Sequence, residues 1–503
     1  MALFSRIAGI TAVSLIALVV GQTVPAAAQV TIGANFTGQN ISGSGFYPPD
    51  TDGAVGPTSF VELINGSYTV YSKTTGALLA PARTLNQFWN SAGVSGLQGF
   101  GAFDPRVLYD AGSGHWFASS LDSPNGTGVN NRLLIAVSNT SDPTAGWKGF
   151  AITDNTGRFN DFDMLGLNGD ALYVGTNNFT GNNLTGISLF VAPKTDLIAG
   201  SVANAKFLNP GGSININPTG TGPTPHPVFD LNNGTGSESI LTSDDSANNL
   251  RLTLITGTNT TSPVLDTSAA CLTPVTAQVD PPPARQPGGP NTIDTGDTRF
   301  SGNVIKQGAY IWGVNSVTTG GRTGIAWYRL NPTTNAIVEQ GTIADANRDY
   351  YMPSISVNPL GDLVIGYTAS SDLTVTGFNG FASAFASVGK FNGTITTING
   401  TPLLLKQGTS RYSLTDNSGI NRWGDYSATT LDPSDPFSFW TIQEWAAGIG
   451  TWSTQITQIT FAAPVTVAPE PGSLPLIGAI AAGLAPVLGV RRRRGCRLPN
   501  QFG

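Results

Sequence analysis

Charge is what this chain has least of. Only 11% of its 503 residues are Asp, Glu, Lys or Arg, where a soluble domain usually carries about 25%. Its polarity comes instead from Asn, Thr, Ser and Gly, which suit turns and exposed strands better than helix interiors. That excludes a coiled coil, a helical bundle and a doubly wound α/β enzyme. Histidine and cysteine are just as scarce, two of each, too few for a zinc site of the His/Cys type. No segment of the body is basic, which argues against nucleic acid as a partner, because phosphate binding needs clustered Lys and Arg. HExxH, GxSxG, P-loop and dinucleotide-binding patterns are absent in the required context.

What is present starts at the two ends. Residues 1–28 carry Arg6, an apolar run Ile7–Val20 and small residues up to Ala28, the three parts of a secretory signal peptide cleaved after Ala28 by signal peptidase. At the other end, Pro469-Glu470-Pro471 precedes an apolar stretch at 474–490, and Arg491, Arg492, Arg493 and Arg494 follow. Seventeen apolar or small residues are near the lower limit for a spanning helix. The arginines hold their end, with the tail 495–503, in the cytoplasm. Segment 469–494 resembles the PEP-CTERM sorting signal of Gram-negative bacteria. The resemblance implies export, transient anchoring through the C-terminal helix, cleavage by an exosortase-type membrane enzyme, and delivery to the cell surface or extracellular polymer.

Without both ends, the body at 29–468 keeps 19 Lys and Arg against 30 Asp and Glu, a net charge of about −11. It also keeps one cysteine, Cys271, so no internal disulfide is available and stability must come from burial and strand pairing.

One pattern recurs along this body: a polar corner, an alternating apolar strand, a short Asn/Asp/Gly turn and a second, aromatic-rich strand. Copies begin at Asp52, Asp104, Asp163, His226, Phe300, Pro353 and Asp425, and turns such as NG, AGSG, KQG and PLGD mark hairpins. Seven copies of a three- or four-stranded antiparallel unit predict an all-β fold, a single seven-bladed β-propeller in which stacked blades bury what none can bury alone. A six-bladed ring and a pair of β-sandwiches are the alternatives. Trp116, Tyr173, Trp312 and Trp440 recur in the second strand and read as inter-blade packing. The Pro/Thr-rich stretch 257–297 reads as a long surface loop.

The phrases PPDTDGAVGPTSFVELIN at 48–65, FDPRVLYD at 103–110, YMPSISVNPLGDLVIGYTAS at 351–370 and RWGDYSATTLDP at 422–433 resemble a group of uncharacterised secreted bacterial β-propeller proteins. That resemblance implies a fold and an exported life without a settled activity. A looser likeness to sialidases is one of fold only.

Asp52, Asp104, Asp163 and Asp425 stand at blade corners, and Arg158, Arg299, Arg348 and Arg422 precede several of them. Closing the ring would gather these eight into one mouth of carboxylates and guanidiniums, able to clamp an acidic sugar of an extracellular polysaccharide through bidentate Arg–carboxylate contacts. No resident cofactor is expected; Ca²⁺ is the cation such oxygens would take. Asp at a corner also caps turns, and Arg beside Asp forms ion pairs between blades. No catalytic residue is assigned. The alternative to a structural or binding role is a secreted glycan-active hydrolase or lyase; a sialidase-like one would need an arginine trio, a Tyr such as Tyr426 or Tyr350 activated by a Glu beside it, and an Asp acid. Glu62, Glu238, Glu339 and Glu444 are nearly all the glutamates the body offers, and none adjoins those tyrosines.

Overall fold

The computed structural model describes residues 30–97, 101–123, 131–212, 222–244, 249–266, 271–272, 274, 276–289 and 291–463. The signal peptide and the sorting segment therefore lie outside the described residues. No helix among the described residues is long and apolar enough to cross a membrane.

The strands among the described residues assort into six sheets. Five are separate. Asp52–Val55, Ser59–Ile64 and Ser67–Ser72 form the first, joined through an Asn65-Gly66 turn whose glycine sits at φ +81°. A Cβ at Gly66 would come 2.2 Å from the Ser44 carbonyl oxygen, so no other residue fits there. Ala102–Asp110, His115–Asp122, Leu133–Ser138 and Trp147–Ile152 form the second. The third is built on Ser237–Asp244 and Asn249–Thr256, the fourth on Asp349–Val357, Leu363–Ser370 and Ser383–Phe391. The fifth joins Ala428–Leu431, Ser438–Gly448 and Thr451–Phe461 to the N-terminal strand Val30–Asn40. That last pairing closes the circle, because the first strand of the body completes the sheet formed by its end.

The sixth sheet is where the expectation of seven separate blades fails. The units starting near 163 and 300 are joined, since Phe229–Asp230 pairs in parallel with both Phe159–Leu167 and Ile305–Gln307, giving nine continuous strands. The cause is local. His226–Pro227 pairs with its own hairpin, but two residues later the chain crosses into the gap between its neighbours. The molecule is an all-β propeller with five separate blades and this fused pair of units.

Both faces of the inner strands are buried, which is why they read as near-continuous apolar or small-residue runs. The core lies between sheets. Trp116 packs with Ala54, Val61 and Trp89; Trp312 with Tyr350 and Ile355; Trp440 with Val55 and Phe60; and Tyr173 with Ile240 and Ile255. All four aromatics are buried. The 257–297 stretch contributes short strands Val264–Asp266 and Cys271–Leu272, and its Ala284 and Ile293 pair in the core beside Trp423. Residues 259–262 and Val264 in the same stretch are exposed.

Candidate functional site

Five non-glycine residues near the starts of inner strands share one unusual backbone state. Asp50, Asp104, Phe162, Thr224 and Met352 have φ of +45°, +51°, +57°, +48° and +49°. Each costs on the order of 1–2 kcal/mol for an L-residue, and such outliers concentrate where function demands them. Three coincide with register shifts in the strand pairing, at Phe103/Arg106, Gly175/Asn177 opposite Phe162, and Tyr351/Ser354. Each bulge re-aims a side chain relative to the regular alternation of its strand.

Polar groups converge there. Asn65 donates to Asp50 Oδ2 at 2.5 Å and accepts from the Asp104 backbone N–H at 2.9 Å. The Asp425 N–H donates to Asp50 Oδ1 at 2.9 Å, linking the last blade to the first. Burial and then the charges of Asp425 and Asp104 push the Asp50 carboxyl well above the usual range. Burial also raises Asp104, whose Oδ2 accepts from Tyr426 Oη at 2.9 Å.

Behind them, Arg106 is 2% exposed. Its Nε donates to the Asp163 carbonyl at 3.1 Å, Nη1 to Ser301 O at 3.0 Å and to Asp52 Oδ2 at 3.4 Å. Its Cζ lies 3.4 Å over the Tyr426 ring. Tyr426 meets Phe162 edge-on at 5.2 Å, and Arg299 Cζ covers the other side of Phe162 at 3.9 Å. Two cations and two aromatics thus form one column from core to solvent, each contact favourable by quadrupole attraction.

Nearer solvent, Arg299 Nε donates to Asp297 at 2.7 Å. Arg422 reaches Asp425 at 3.1 Å and Asp294 at 3.6 Å. These groups, with Phe162, wall a cavity of about 190 Å³. Burial raises the Asp425 carboxyl to about 6, with Arg422 pulling it back and Asp104 pushing it up. Burial followed by the charges of Asp104 and Asp425 takes Asp161 to about 7. Asp52, also raised by burial and only partly relieved by Arg106, reaches about 7.

Of the eight residues expected at the mouth, Asp104, Arg299, Arg422 and Asp425 are there, while Asp52, 1% exposed, lies behind them on Arg106. Asp163 turns inward to Ser119, and its Oδ1 has no hydrogen-bond partner among the described residues. Asp161, two positions earlier, is the carboxyl that senses Asp104 and Asp425. Arg158 is held away by the carbonyls of Thr185 and Gly211, and Arg348 by Asp345. Asp50, Asp161, Phe162, Asp294 and Asp297 complete the mouth, with Arg106 beneath it. The clusters PPDTD, NDFD and DTGDTR carried the signal for most of them. Among the described residues, no group of three or more His, Cys, Asp or Glu is arranged to hold a metal.

The other end of the ring differs in chemistry. Its cavity of about 240 Å³ is mainly apolar, with Val55, Phe229, Leu431 and Pro433 in the wall. Its acids are each tied to a lysine: Asp110 to Lys194 at 2.6 Å, Asp230 to Lys306 at 2.7 Å and Asp432 to Lys73 at 2.9 Å.

Solved structures resemble this chain only distantly. The extracellular domains 1–2 of Drosophila Semaphorin 1b match with 8% identity over 86% of this chain and 87% of that one, with a TM-score of 0.40. The Dos1 propeller matches with 11% identity over 85% and 94%, TM-score 0.39. A subtype N10 neuraminidase-like protein of A/little yellow-shouldered bat/Guatemala matches with 9% identity over 64% and 91%, TM-score 0.36. The likeness is one of fold. No protein-family model matches the chain, and no curated protein matches it.

Proposed function

We propose that this protein is an exported propeller that binds a polyhydroxylated ligand, a saccharide of the cell surface or extracellular polymer, at the mouth bearing Asp425 and Arg422. The observation that carries this reading is the cavity of about 190 Å³ in which Arg299 and Arg422 are each already bound to aspartates beside an aromatic face. Paired Asp and Arg offer acceptors and donors side by side, which suits vicinal hydroxyls, and Phe162 offers a ring for the apolar face of a sugar. The fused nine-stranded sheet is counted, in this reading, as two of seven blades.

Export and sorting belong to the same proposal: cleavage after Ala28, anchoring through 474–490, and exosortase-type processing at Pro469-Glu470-Pro471. Changing those three residues to alanine should leave the protein in the membrane fraction; normal release would contradict the sorting step. Binding is tested by screening the full-length protein on a glycan array with and without Ca²⁺. Arg422→Ala should abolish the signal, and an array blank for the parent protein would refute saccharide binding.

A hydrolase reading is favoured by one observation, the carboxyls of Asp161 and Asp425 held at about 7 and 6, where a general acid and base work best near neutral pH. A chromogenic glycosidase panel run beside the array separates the two. Turnover lost in Asp425→Asn would replace binding by catalysis.

A further inference from the structure

The cavity beside Asp425 does not stand alone. A second one, of about 280 Å³, adjoins it, and both are walled by the same two side chains, Asp297 and Arg299. The partition between them is thus the thickness of one ion pair. It is firmly held: Arg299 Nε and Nη2 bind Asp297, and the guanidinium lies on Phe162. It is also open above, since the Arg299 and Asp297 side chains are 26% and 35% exposed. Among the described residues, the two N–H groups on Nη1 have no hydrogen-bond acceptor and can be offered to something lying across the guanidinium.

The second lobe repeats the chemistry of the first with less charge. Phe179, half-buried beside Leu184, supplies an aromatic face. Asn177, Thr224, Ser243 and Thr298 supply amide and hydroxyl groups. Thr224 is one of the residues held at positive φ, bonded through Asn177 at 2.8 and 2.6 Å, so the strain at the mouth extends under this lobe as well.

We infer that the two lobes form one cleft for a linear oligosaccharide, with successive sugar units on either side of the Arg299–Asp297 ridge. This rests on the saccharide-binding reading above and adds to it: the ligand is an internal stretch of polymer rather than a single sugar or chain end. Two lobes each with an aromatic face predict that affinity grows with chain length until both are filled.

The test uses calorimetric titration of the full-length protein with cello-, xylo-, chito- and alginate-oligosaccharide ladders of one to six units. In the ladder that binds, affinity should rise at least about tenfold between one unit and four, equivalent to about 1.4 kcal/mol. The ratio of four-unit to one-unit affinity should then fall about tenfold in Phe179→Ala. Leu184→Ser, at the edge of the same lobe, should lower that ratio in the same direction and serves if the first variant fails to fold. Equal affinity for one unit and four, with Arg422→Ala still abolishing both, would overturn the extended cleft and leave the saccharide site standing. A length effect that neither lobe-two variant alters would also overturn it. No binding by any ladder would overturn both.

Discussion

Arg106 shows how much a single buried cation can hold. It bonds to the backbone of two other units, faces Asp52 and lies on the Tyr426 ring, all out of contact with water. Removing one partner of a buried charge set leaves the others uncompensated, which costs about 3–5 kcal/mol. Arg106→Met should therefore lower the free energy of unfolding in urea by that order, with a lower midpoint. Arg106→Lys should not restore it, because an ammonium can neither fork between Ser301 and Asp52 nor stack flat on a ring. A midpoint for the Lys variant equal to the parent would show that charge alone suffices. This residue was not legible in FDPRVLYD. A strand buried on both faces lacks the polar–apolar alternation that reveals where a side chain points. The Asp161/Asp163 reversal has the same root: the left-handed Phe162 between them shifts the register by one, and a one-residue slip exchanges the two faces. Nothing in the letters NDFD announces that bulge.

At the scale of elements, the hairpins were readable because their turns must carry glycine or asparagine, while contacts between units were not. The far end of the ring is stitched by pairs whose members are distant in sequence. Lys194, first residue of the short helix Lys194–Ala199, reaches back to Asp110 at the end of an inner strand in the preceding sheet, and both side chains are buried. Lys194→Met should cost about 3 kcal/mol by stranding the carboxylate, and adding Asp110→Leu should recover most of that loss. A double variant as unstable as the single one would mean that Asp110 matters for its bonds to Ser113 and Gly112 instead. The closing strand Val30–Asn40 makes a second case. Phe36, half-buried, meets Tyr71 at 5.3 Å across the seam between the last sheet and the first. Phe36→Ala should cost about 2 kcal/mol, less than the 3–5 of a fully buried ring, as read from the shift in thermal midpoint.

For the whole molecule, the repeat starts at 52, 104, 163, 226, 300, 353 and 425 announced a ring, and distant acids do meet at one mouth. The price of that convergence is electrostatic and should be visible in bulk stability. Asp52 and Asp161 sit at about 7 and Asp425 at about 6, all raised first by burial, and burial likewise raises Asp50, Asp163, Glu62, Glu238 and Glu444. A carboxyl whose pKa is higher folded than unfolded binds its proton more tightly in the folded state. Its contribution is fully present below the unfolded value near 4 and is lost as pH climbs through the folded one. The raised groups act with one sign across the window from about 4 to 7. Asp297, lowered by Arg299 against the pull of burial, acts with the opposite sign only below it. The melting temperature should accordingly fall from pH 5 to pH 8, against the common pattern in which ion-paired carboxylates gain as acid is removed. Asp161→Asn, which keeps the neutral shape at every pH, should shrink that fall. Calorimetric scans of the two proteins across this range would decide it: a parent curve that rises with pH would mean these carboxyls are ionised in the folded mouth. Arg106, Arg299 and Arg422 would then neutralise ionised aspartates there.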